Sequence, residues 1–427
     1  MDEAALVEQV RQATEALPAE QLLFRVAPRP AEEGDGWAAR VDAALDAPIG
    51  SPPLEELARG AQRVVILADD LTRPTPQSKI LPPLLDRLNA AGVPDGSVLV
   101  IIALGTHRYM AEDEIARRFG PEVCRRVPIV NHDWRDPDTF VDLGTTENGT
   151  PVKVNRLACE ADLLIGTGSI VPHVYAGWAG GAKILQPGVC SAETTARTHC
   201  MAAEGPDLLG TPGRDEDPVR HEIERVGRMA ALAFIVNVVP DAGGAPVWVG
   251  AGDPVETHRA GIPPARRTYL RPVPARAEVV IADARPCGKD YWQGIKALAH
   301  AVRGVAAGGT VVFVGAFPEG VAPTHPEFTR HSLKSYDEVL AACRADQIED
   351  PIASATLRLH ALIMAHCSVS CVSPGMSVQD KARLGFRHAE DVGEALQTAF
   401  ERHGAEASVG TIEYGGDVLP EPPGQGG

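Results

Sequence analysis

The segment RVVILADDLTRPTPQS, residues 63–78, contains the pattern that decides the fold class of this chain. Its first half is an almost unbroken run of aliphatic side chains, which is typical of a strand buried on both faces of a parallel sheet. Two aspartates, a proline-containing loop and a helix pattern that runs to about Leu88 follow. Open α/β sheets bind their ligands at such places, beyond the carboxyl end of a buried strand. The segment therefore predicts a strand–loop–helix unit with functional side chains in its loop.

The same arrangement recurs along the chain. SVLVIIALGTHR (97–108) is an apolar strand that ends in Gly-Thr-His-Arg before another helix pattern. Further apolar strand patterns alternate with helix patterns in both halves, at 161–166, 234–239, 278–283 and 310–317. This alternation predicts an α/β fold throughout. The prolines and arginines of 262–274 indicate a linker, so we expect two α/β domains, residues 1–272 and 273–390, with the active site in the cleft between them.

Composition limits the class of partner. The chain has 427 residues and a formal net charge of −17, which argues against nucleic acid or an anionic membrane as the main partner. Its eight cysteines form no Cys-x-x-Cys pairs, as expected for reduced thiols in a cytoplasmic protein. The acidic amino terminus shows no signal-peptide pattern, and no apolar run is long enough for a transmembrane helix. We therefore expect a cytoplasmic protein that acts on small molecules.

The segment Leu164–His199 combines chemically active residues with glycines. It contains His173, then Lys183 within a Gly-Gly-Ala-Lys turn, and His199 near the end of a predicted helix. Glycine lets the backbone approach a ligand closely, histidine can be a base, an acid or a metal ligand, and lysine can be a covalent anchor. These residue types indicate a site, although a solvated lysine and two hydrogen-bonded loop histidines would explain the same pattern.

The loops beyond the first two strands contain further candidates. Thr72 is a possible cap of the following helix, and such a helix start is a plausible site for a phosphate. Arg73 can bind an anion, or it can form a local ion pair with Asp70 that only orders the turn. His107 follows the second strand, where a histidine is well placed for chemistry, although a lone histidine is more often structural.

Taken together, these residues resemble one family, the nickel-dependent, LarA-like lactate racemases. The matching motifs are ADDLTRPTP (68–76), ALGTHR (103–108), GSIVPHVYAGWAGGAKILQPG (168–188), His199, FIVNVV (234–239), AGDPVETHRAG (251–261) and YWQGIKAL (291–298). They extend over most of the chain in the order of the family, and their combination is specific. The resemblance also suggests that the segment of about 391–427 packs back on the first domain.

The resemblance implies a cofactor that composition alone does not reveal. Members of the family carry a nickel-pincer nucleotide, a pyridinium dithiocarboxylic acid mononucleotide attached covalently to a lysine, and enzymes that mature this cofactor are implied as partners. Matched by position, the tethering lysine is Lys183 and the nickel ligand is His199, and a near-square-planar site suits Ni(II). Asp70 and Thr72 are expected near the cofactor.

The implied reaction inverts a 2-hydroxy acid through reversible hydride transfer to the cofactor, which carries the difficult chemistry. Two opposed histidines, His107 and His173, exchange the hydroxyl proton, since the two enantiomers need bases on opposite sides. Arg73 and Lys296 are matched to anion contacts near the reacting centre. Gln293 lies one helical turn before Lys296, on the same face, and is expected to support substrate binding.

One departure from the family pattern bears on the substrate. Lactate-acting members carry a tryptophan after an aspartate before the apolar helix of the second domain, whereas this chain reads IEDPIASATL (348–357) and has no tryptophan after Trp292. We therefore expect a 2-hydroxy acid other than lactate. Two other functions stay open from the residues alone. One is a zinc hydrolase that uses His107, His173 and His199, and the other is a non-catalytic protein that binds a nucleotide or anion.

Overall fold

The structure is a computed structural model that describes residues 2–32, 34, 36–205 and 207–424. Within these residues the strands are β1 (Leu22–Val26), β2 (Val64–Asp69), β3 (Val98–Ala103), β4 (Ile129–Asn131), β5 (Phe140–Thr145), β6 (Pro151–Asn155), β7 (Leu163–Ser169), β8 (Pro172–His173), β9 (Gly177–Trp178), β10 (Leu232–Pro240), β11 (Pro246–Gly252), β12 (Leu270–Pro272), β13 (Ala277–Asp283), β14 (Val305–Val314), β15 (Ser368–Val372), β16 (Arg387–His388), β17 (Val409–Ile412) and β18 (Leu419–Glu421). The helices are α1 (Glu3–Glu15), α2 (Trp37–Asp46), α3 (Leu54–Leu57), α4 (Gln77–Ala90), α5 (Glu112–Arg126), α6 (Arg156–Cys159), α7 (Ala192–Ala203), α8 (Pro218–Met229), α9 (Glu256–Tyr269), α10 (Tyr291–Ala301), α11 (Pro326–His331), α12 (Tyr336–Arg344), α13 (Pro351–His366), α14 (Val378–Arg383) and α15 (Val392–His403).

Two six-stranded sheets organise the fold. The first has the strand order β11-β10-β7-β2-β3-β4 and is parallel except for the antiparallel pair β10–β11. The second has the order β1-β17-β13-β14-β15-β16 and is parallel throughout. This architecture confirms the predicted α/β fold. Every helix in the described residues is too short or too polar to cross a lipid bilayer.

Strand β2 shows why an unbroken apolar run predicts a central strand. All six of its residues are buried. Val65 and Leu67 pack into one hydrophobic cluster, whereas Val64, Ile66 and Ala68 pack into another on the opposite face of the sheet. Because β2 lies between β7 and β3, the loops that follow these three strands meet at one edge of the sheet.

The two ends of the chain are placed differently from the expectation. Strand β1, within the predicted first domain of residues 1–272, pairs with β17, and β17 also pairs with β13 in the second sheet. Helix α15 packs against β14, β15 and α1. Most of the 391–427 segment thus joins the second sheet instead of packing on the first, and only the short β18 pairs with β12 at the end of the first half. Strand pairing across nearly the whole chain is not encoded in local pattern, so the sequence did not indicate it.

The predicted linker at 262–274 is wrong for its first half, because α9 continues through Pro263 and Pro264 to Tyr269. A proline inside a helix removes a hydrogen bond and costs on the order of 3 kcal/mol. Tertiary packing offsets this cost here, since Ile262, Ala265 and Tyr269 are buried in one hydrophobic cluster. The local proline signal was therefore outweighed by burial of one helix face.

Candidate active site

One cavity unites the residues predicted from the sequence. It is lined by Asp70, Thr72, Arg73, His107, His173, Lys183, His199, Gln293 and Lys296. The first seven follow strands of the first sheet or lie on α7, and the last two lie on α10, which follows β13 of the second sheet. The cavity is thus formed between the two sheets, at the carboxyl ends of their strands.

A glycine turn positions Lys183. Gly180 and Gly181 adopt φ angles of +83° and +61°, a region that L side chains rarely occupy. The amide of Gly181 donates a hydrogen bond of 2.7 Å to Oδ1 of Asn237, and a Cβ at Gly181 would lie 3.0 Å from the ring of His258. Backbone conformation and close packing therefore both require glycine at the positions three and two residues before the lysine.

Lys183 is placed where an amine is reactive rather than charged. Its side chain makes no hydrogen bond or ion pair within the part of the chain that the structure describes. Burial lowers the pKa of its amine far below the usual value, and the nearby charges of Arg73, Lys296 and Arg220 lower it further. A neutral, desolvated amine is a nucleophile, so the environment suits covalent attachment of a ligand.

His199 is arranged as a ligand with one free nitrogen. Its Nδ1 lies 2.9 Å from the carbonyl oxygen of Thr195, one turn earlier on α7. A carbonyl only accepts, so Nδ1 carries the proton and Nε2 has a lone pair, as in metal-binding histidines whose other nitrogen is held by the protein. Burial lowers the pKa of the ring to about 3, and the ring centroid of Tyr175 lies 5.0 Å away in an edge-on arrangement.

His107 is held from both sides of the cleft. Its Nδ1 donates to Oδ2 of Asp70 at 2.7 Å, and its Nε2 lies 3.0 Å from Nε2 of Gln293. The Gln293 amide nitrogen only donates, so Nε2 of His107 is an acceptor. Oε1 of Gln293 in turn accepts from Nζ of Lys296 at 2.7 Å. These contacts link His107 to the second half and leave it in the tautomer required of a base.

Asp70 stays ionised to orient His107. Burial alone would raise the pKa of this carboxyl, but His107, Arg73 and Thr72 together hold it below its ordinary value. Both the amide and the hydroxyl of Thr72 donate to Oδ1 of Asp70, at 3.0 and 2.6 Å. Asp70 thus acts as the acceptor that fixes both the turn and the histidine.

The structure corrects the role expected of the Thr72 turn. Helix α4 begins only at Gln77, and its cap position is occupied by Pro76. Thr72 is therefore not the cap of this helix, and its amide and hydroxyl donate to Asp70 instead. Binding of a phosphate near this turn stays a prediction. The local ion pair between Asp70 and Arg73, the alternative considered from the sequence, is also not formed among the described residues. Arg73 instead donates to the carbonyl and hydroxyl oxygens of Thr72 at 3.1 and 2.9 Å.

His173 differs from His107 in its surroundings. It is 5% exposed, and the amide of Tyr175 donates to its Nδ1 at 3.2 Å. In the neutral ring the proton therefore lies on Nε2. Burial lowers the pKa of His173 well below its usual value, and the charges of Arg73 and Lys296 add to this effect. The hydrogen bonds of His107 and His173 thus correspond to opposite tautomers, with Nε2 an acceptor in His107 and a donor in His173.

The wall of the cavity in the second half contains two residues of the segment 348–357, which the sequence connected with the substrate, and Trp292, for which the sequence indicated no role. Trp292, Ile352 and Thr356 line it, and the hydroxyl of Thr356 accepts a hydrogen bond of 3.1 Å from Tyr175. The indole of Trp292 stacks on the ring of His325 at 4.2 Å. No local pattern indicates these contacts, because the residues come from separate elements.

His325 connects this wall to the loop of His107. Its Nδ1 lies 2.6 Å from Oδ2 of Asp350, and its Nε2 lies 3.2 Å from the hydroxyl of Thr106. Oδ1 of Asp350 accepts from the amides of Ile352 and Ala353 and thereby caps α13. The Asp-Pro pair at 350–351 is the one sequence signal that indicated this cap; the contact with His325 was not foreseeable.

The histidines do not form a zinc site. Among the residues that the structure describes, no group of three or more His, Cys, Asp or Glu side chains is arranged to hold a metal ion. His107, His173 and His199 line one cavity but hold separate positions and partners. The hydrolase considered from the sequence therefore lacks the ligand set that it needs.

Comparison with known proteins gives a consistent result. Residues 11–208 match the model of the lactate racemase N-terminal domain. The lactate racemase of Lactiplantibacillus plantarum is 30% identical over 89% of this chain and 90% of its own length. The lactate racemase of Thermoanaerobacterium thermosaccharolyticum is 28% identical, with 89% of both chains covered.

Two solved structures agree with the fold described above. The lactate racemase apoprotein of Thermoanaerobacterium thermosaccharolyticum superposes with a TM-score of 0.84 and 26% identity, covering 95% of this chain and 96% of that chain. A protein from Thermotoga maritima shares the fold at a TM-score of 0.70 and 19% identity, covering 87% and 99%. The similarity to the lactate racemases extends over both sheets and the cavity between them, and the chain therefore belongs to the lactate racemase family and is an isomerase.

Proposed function

We propose that this protein racemises or epimerises a 2-hydroxy acid with a nickel-pincer nucleotide attached to Lys183. The observation that carries this proposal is the cavity itself. It combines a buried, unpaired lysine whose amine has a strongly lowered pKa with a histidine that has a free Nε2, and it adds two further histidines and two basic side chains. The names of the relatives, which are lactate racemases, support the reaction class.

The donor set fits the proposed cofactor. The neutral amine of Lys183 can form the thioamide tether, and His199 offers a single nitrogen to nickel. Because the described residues hold no cluster of three or more metal ligands, the other ligands must come from the cofactor, as its sulfur substituents allow. When bound there, the cofactor would supply the hydride acceptor, an electron-poor ring, that inversion at C2 of the substrate needs.

The protein side chains bind the substrate and move its hydroxyl proton. Arg73 and Lys296 offer donors to the carboxylate, which a guanidinium can bind through two parallel hydrogen bonds. Nε2 of His107 accepts the hydroxyl proton while Asp70 stabilises the imidazolium that forms. Loss of hydride and proton gives a 2-keto acid. We assign proton exchange on the opposite face to the imidazole of His173, which would accept the hydroxyl proton at Nε2 in the tautomer protonated on Nδ1 and donate a proton to the keto oxygen as the imidazolium.

The wall of the second half supports a substrate other than lactate. Ile352 and Thr356 line the cavity in the segment where lactate-acting members carry a tryptophan. Smaller side chains leave more room beside C3 of the substrate, so we propose a 2-hydroxy acid with a larger side group than a methyl. We also place the protein in the cytoplasm with the enzymes that mature its cofactor.

Intact-protein mass and a substrate panel test this proposal. The chain is produced with and without cofactor-maturation enzymes, and Lys183→Ala is the control. We expect an added mass on the wild type only, nickel in the purified protein, and inversion of at least one chiral 2-hydroxy acid. An unmodified, zinc-containing protein would contradict the cofactor assignment. Turnover of lactate equal to that of the best substrate would contradict the substrate assignment alone.

A further inference from the structure

Two residues that line the cavity have a buried hydroxyl group with no hydrogen-bond partner among the described residues. They are Ser169 and Thr195, which are each 2% exposed. Other buried polar atoms without a partner lie elsewhere, and none of their residues lines this cavity. A buried hydroxyl without a partner is costly and rare in native proteins, so two on the lining of one cavity indicate polar groups that a ligand supplies.

Thr195 differs from most other buried threonines in helices. A helical threonine commonly donates its hydroxyl hydrogen to the carbonyl three or four residues earlier. Thr14, Thr198, Thr268 and Thr356 all do so. Thr195 does not, although its own carbonyl accepts from Nδ1 of His199. Its hydroxyl therefore stays available for a group outside the helix.

The two hydroxyls lie near the two proposed attachment points of the cofactor. Thr195 precedes His199 by four residues on α7, so both share one face of the helix. Ser169 ends β7 beside the glycine turn of Lys183, where a Cβ at Gly180 would lie 3.2 Å from the carbonyl oxygen of Ser169. One free hydroxyl thus accompanies the nickel ligand, and the other accompanies the tether.

We propose that Ser169 and Thr195 are further cofactor-binding residues, whose hydroxyls donate hydrogen bonds to acceptor atoms of the nucleotide. This inference rests on the proposed function. A pyridinium mononucleotide with thiocarboxyl groups, a ribose and a phosphate is rich in acceptors, and hydroxyl donors match them without adding charge. Lys183 and His199 fix two points of the cofactor, and the hydroxyls fix its orientation between them.

Thr195→Val and Ser169→Ala test the inference, and Thr257→Val is the matched control. Thr257 is also a buried helical threonine without a partner for its hydroxyl, but it does not line the cavity. Without the cofactor, all three variants should melt at or above the wild-type temperature, because no hydrogen bond is lost. After loading, Thr195→Val and Ser169→Ala should lose nickel to a chelator roughly tenfold faster than wild type. This factor corresponds to the loss of about one hydrogen bond to a polar ligand.

The loaded variants should also gain less in melting temperature on cofactor binding, whereas Thr257→Val should behave as wild type in both measurements. Nickel loss and melting gain equal to wild type in both cavity variants would overturn the inference. A wild-type chain that acquires no added mass on Lys183 contradicts the proposed function and this inference with it. A wild-type adduct with unaffected variants contradicts the inference alone.

Discussion

The two walls of the cavity are built in different ways. The first-half wall comes largely from one continuous segment, Leu164–His199, and its side chains are placed by backbone features: a buried strand, a glycine turn with positive φ, and a capped helix. The second-half wall is assembled from α10, the loop of His325 and the start of α13. Its shape depends on side-chain contacts such as the stack of Trp292 on His325.

This difference separates two tasks of the site. The first-half wall holds the groups proposed for chemistry, namely Lys183, His199 and His173, and each is neutral because it is buried. The second-half wall contributes cationic and apolar contacts to the substrate. We therefore expect changes on the first wall to abolish catalysis, and changes on the second wall to alter which substrate is used.

The largest effect on activity is expected on the first-half wall, at the groups proposed for chemistry. His107→Asn and His173→Asn should each lower kcat by about 10²–10⁴-fold in both directions of inversion, the usual contribution of a general acid or base. Steady-state polarimetry or chiral chromatography with each enantiomer measures the effect. Each variant should still carry the wild-type added mass on Lys183, which shows that the cofactor site is intact. A fully loaded variant of either histidine with near wild-type kcat would contradict the two-base assignment.

A smaller effect is expected at the second wall. Ile352→Trp should fill space beside C3 of the substrate and shift the ratio of kcat/KM toward lactate by about 10–200-fold, the range for fitting one or a few methylene groups. Ile352→Leu conserves volume and is the control. The measurement is kcat/KM for lactate and for the best larger acid. An unchanged ratio would mean that Ile352 does not contact the side group of the substrate. It would contradict the assignment of substrate selectivity to the second-half wall.

The sequence was informative where one local pattern determines one local structure. The buried runs of β2 and β7 predicted central strands, because every residue in them is buried on one face or the other. Local sequence pattern did not predict the structure where tertiary packing determines it. Helix α9 runs through two prolines, and β1 pairs with β17 near the other end of the chain. Neither partner surface is visible from the residues themselves.

The same limit applies to the site. The predicted reactive residues all line the cavity, because reactive types beyond strand ends are recognisable by motif and position. The residues around them were missed. Tyr175, Trp292 and His325 are ordinary aromatic residues in the sequence, and only the fold brings them against His199 and the substrate wall. Ser169 and Thr195 were not predicted, because only the structure shows that their hydroxyls lack a hydrogen-bond partner.

Lys296 allows a test of whether the positive charge on the second-half wall contributes to substrate binding. Burial lowers the pKa of its amine to about 8, and the charge of Arg73 adds to this, while Cys287, Asp417 and Asp70 oppose it. The ammonium is present below that pH and lost above it. The substrate carboxylate should therefore bind more weakly as pH rises, with KM increasing by about tenfold per unit beyond the pKa.

Lys296→Arg is the control, since a guanidinium stays charged over this range. Its KM should remain flat where that of the wild type rises, and kcat should change less than KM. A wild-type KM that is constant up to pH 10 would contradict a role of the Lys296 charge in substrate binding. The second-half wall would then bind the substrate through its shape alone. It would differ further from the first-half wall, whose side chains are proposed to carry out chemistry.

The smallest effect is expected at the ion pairs that join the walls. Nη2 of Arg108 lies 2.6 Å from Oε1 of Glu319 across the cleft, and their side chains are 34% and 23% exposed. The pair is bidentate and shares a network with Glu114 and Lys289, so we expect a coupling at the upper end of the range for accessible pairs, about 1 kcal/mol. A double-mutant cycle with Arg108→Ala and Glu319→Ala, read from denaturant unfolding of the protein without cofactor, measures the coupling. A coupling of this size leaves the cleft free to open for substrate, whereas a value of several kcal/mol would mean that the two walls act as one rigid unit.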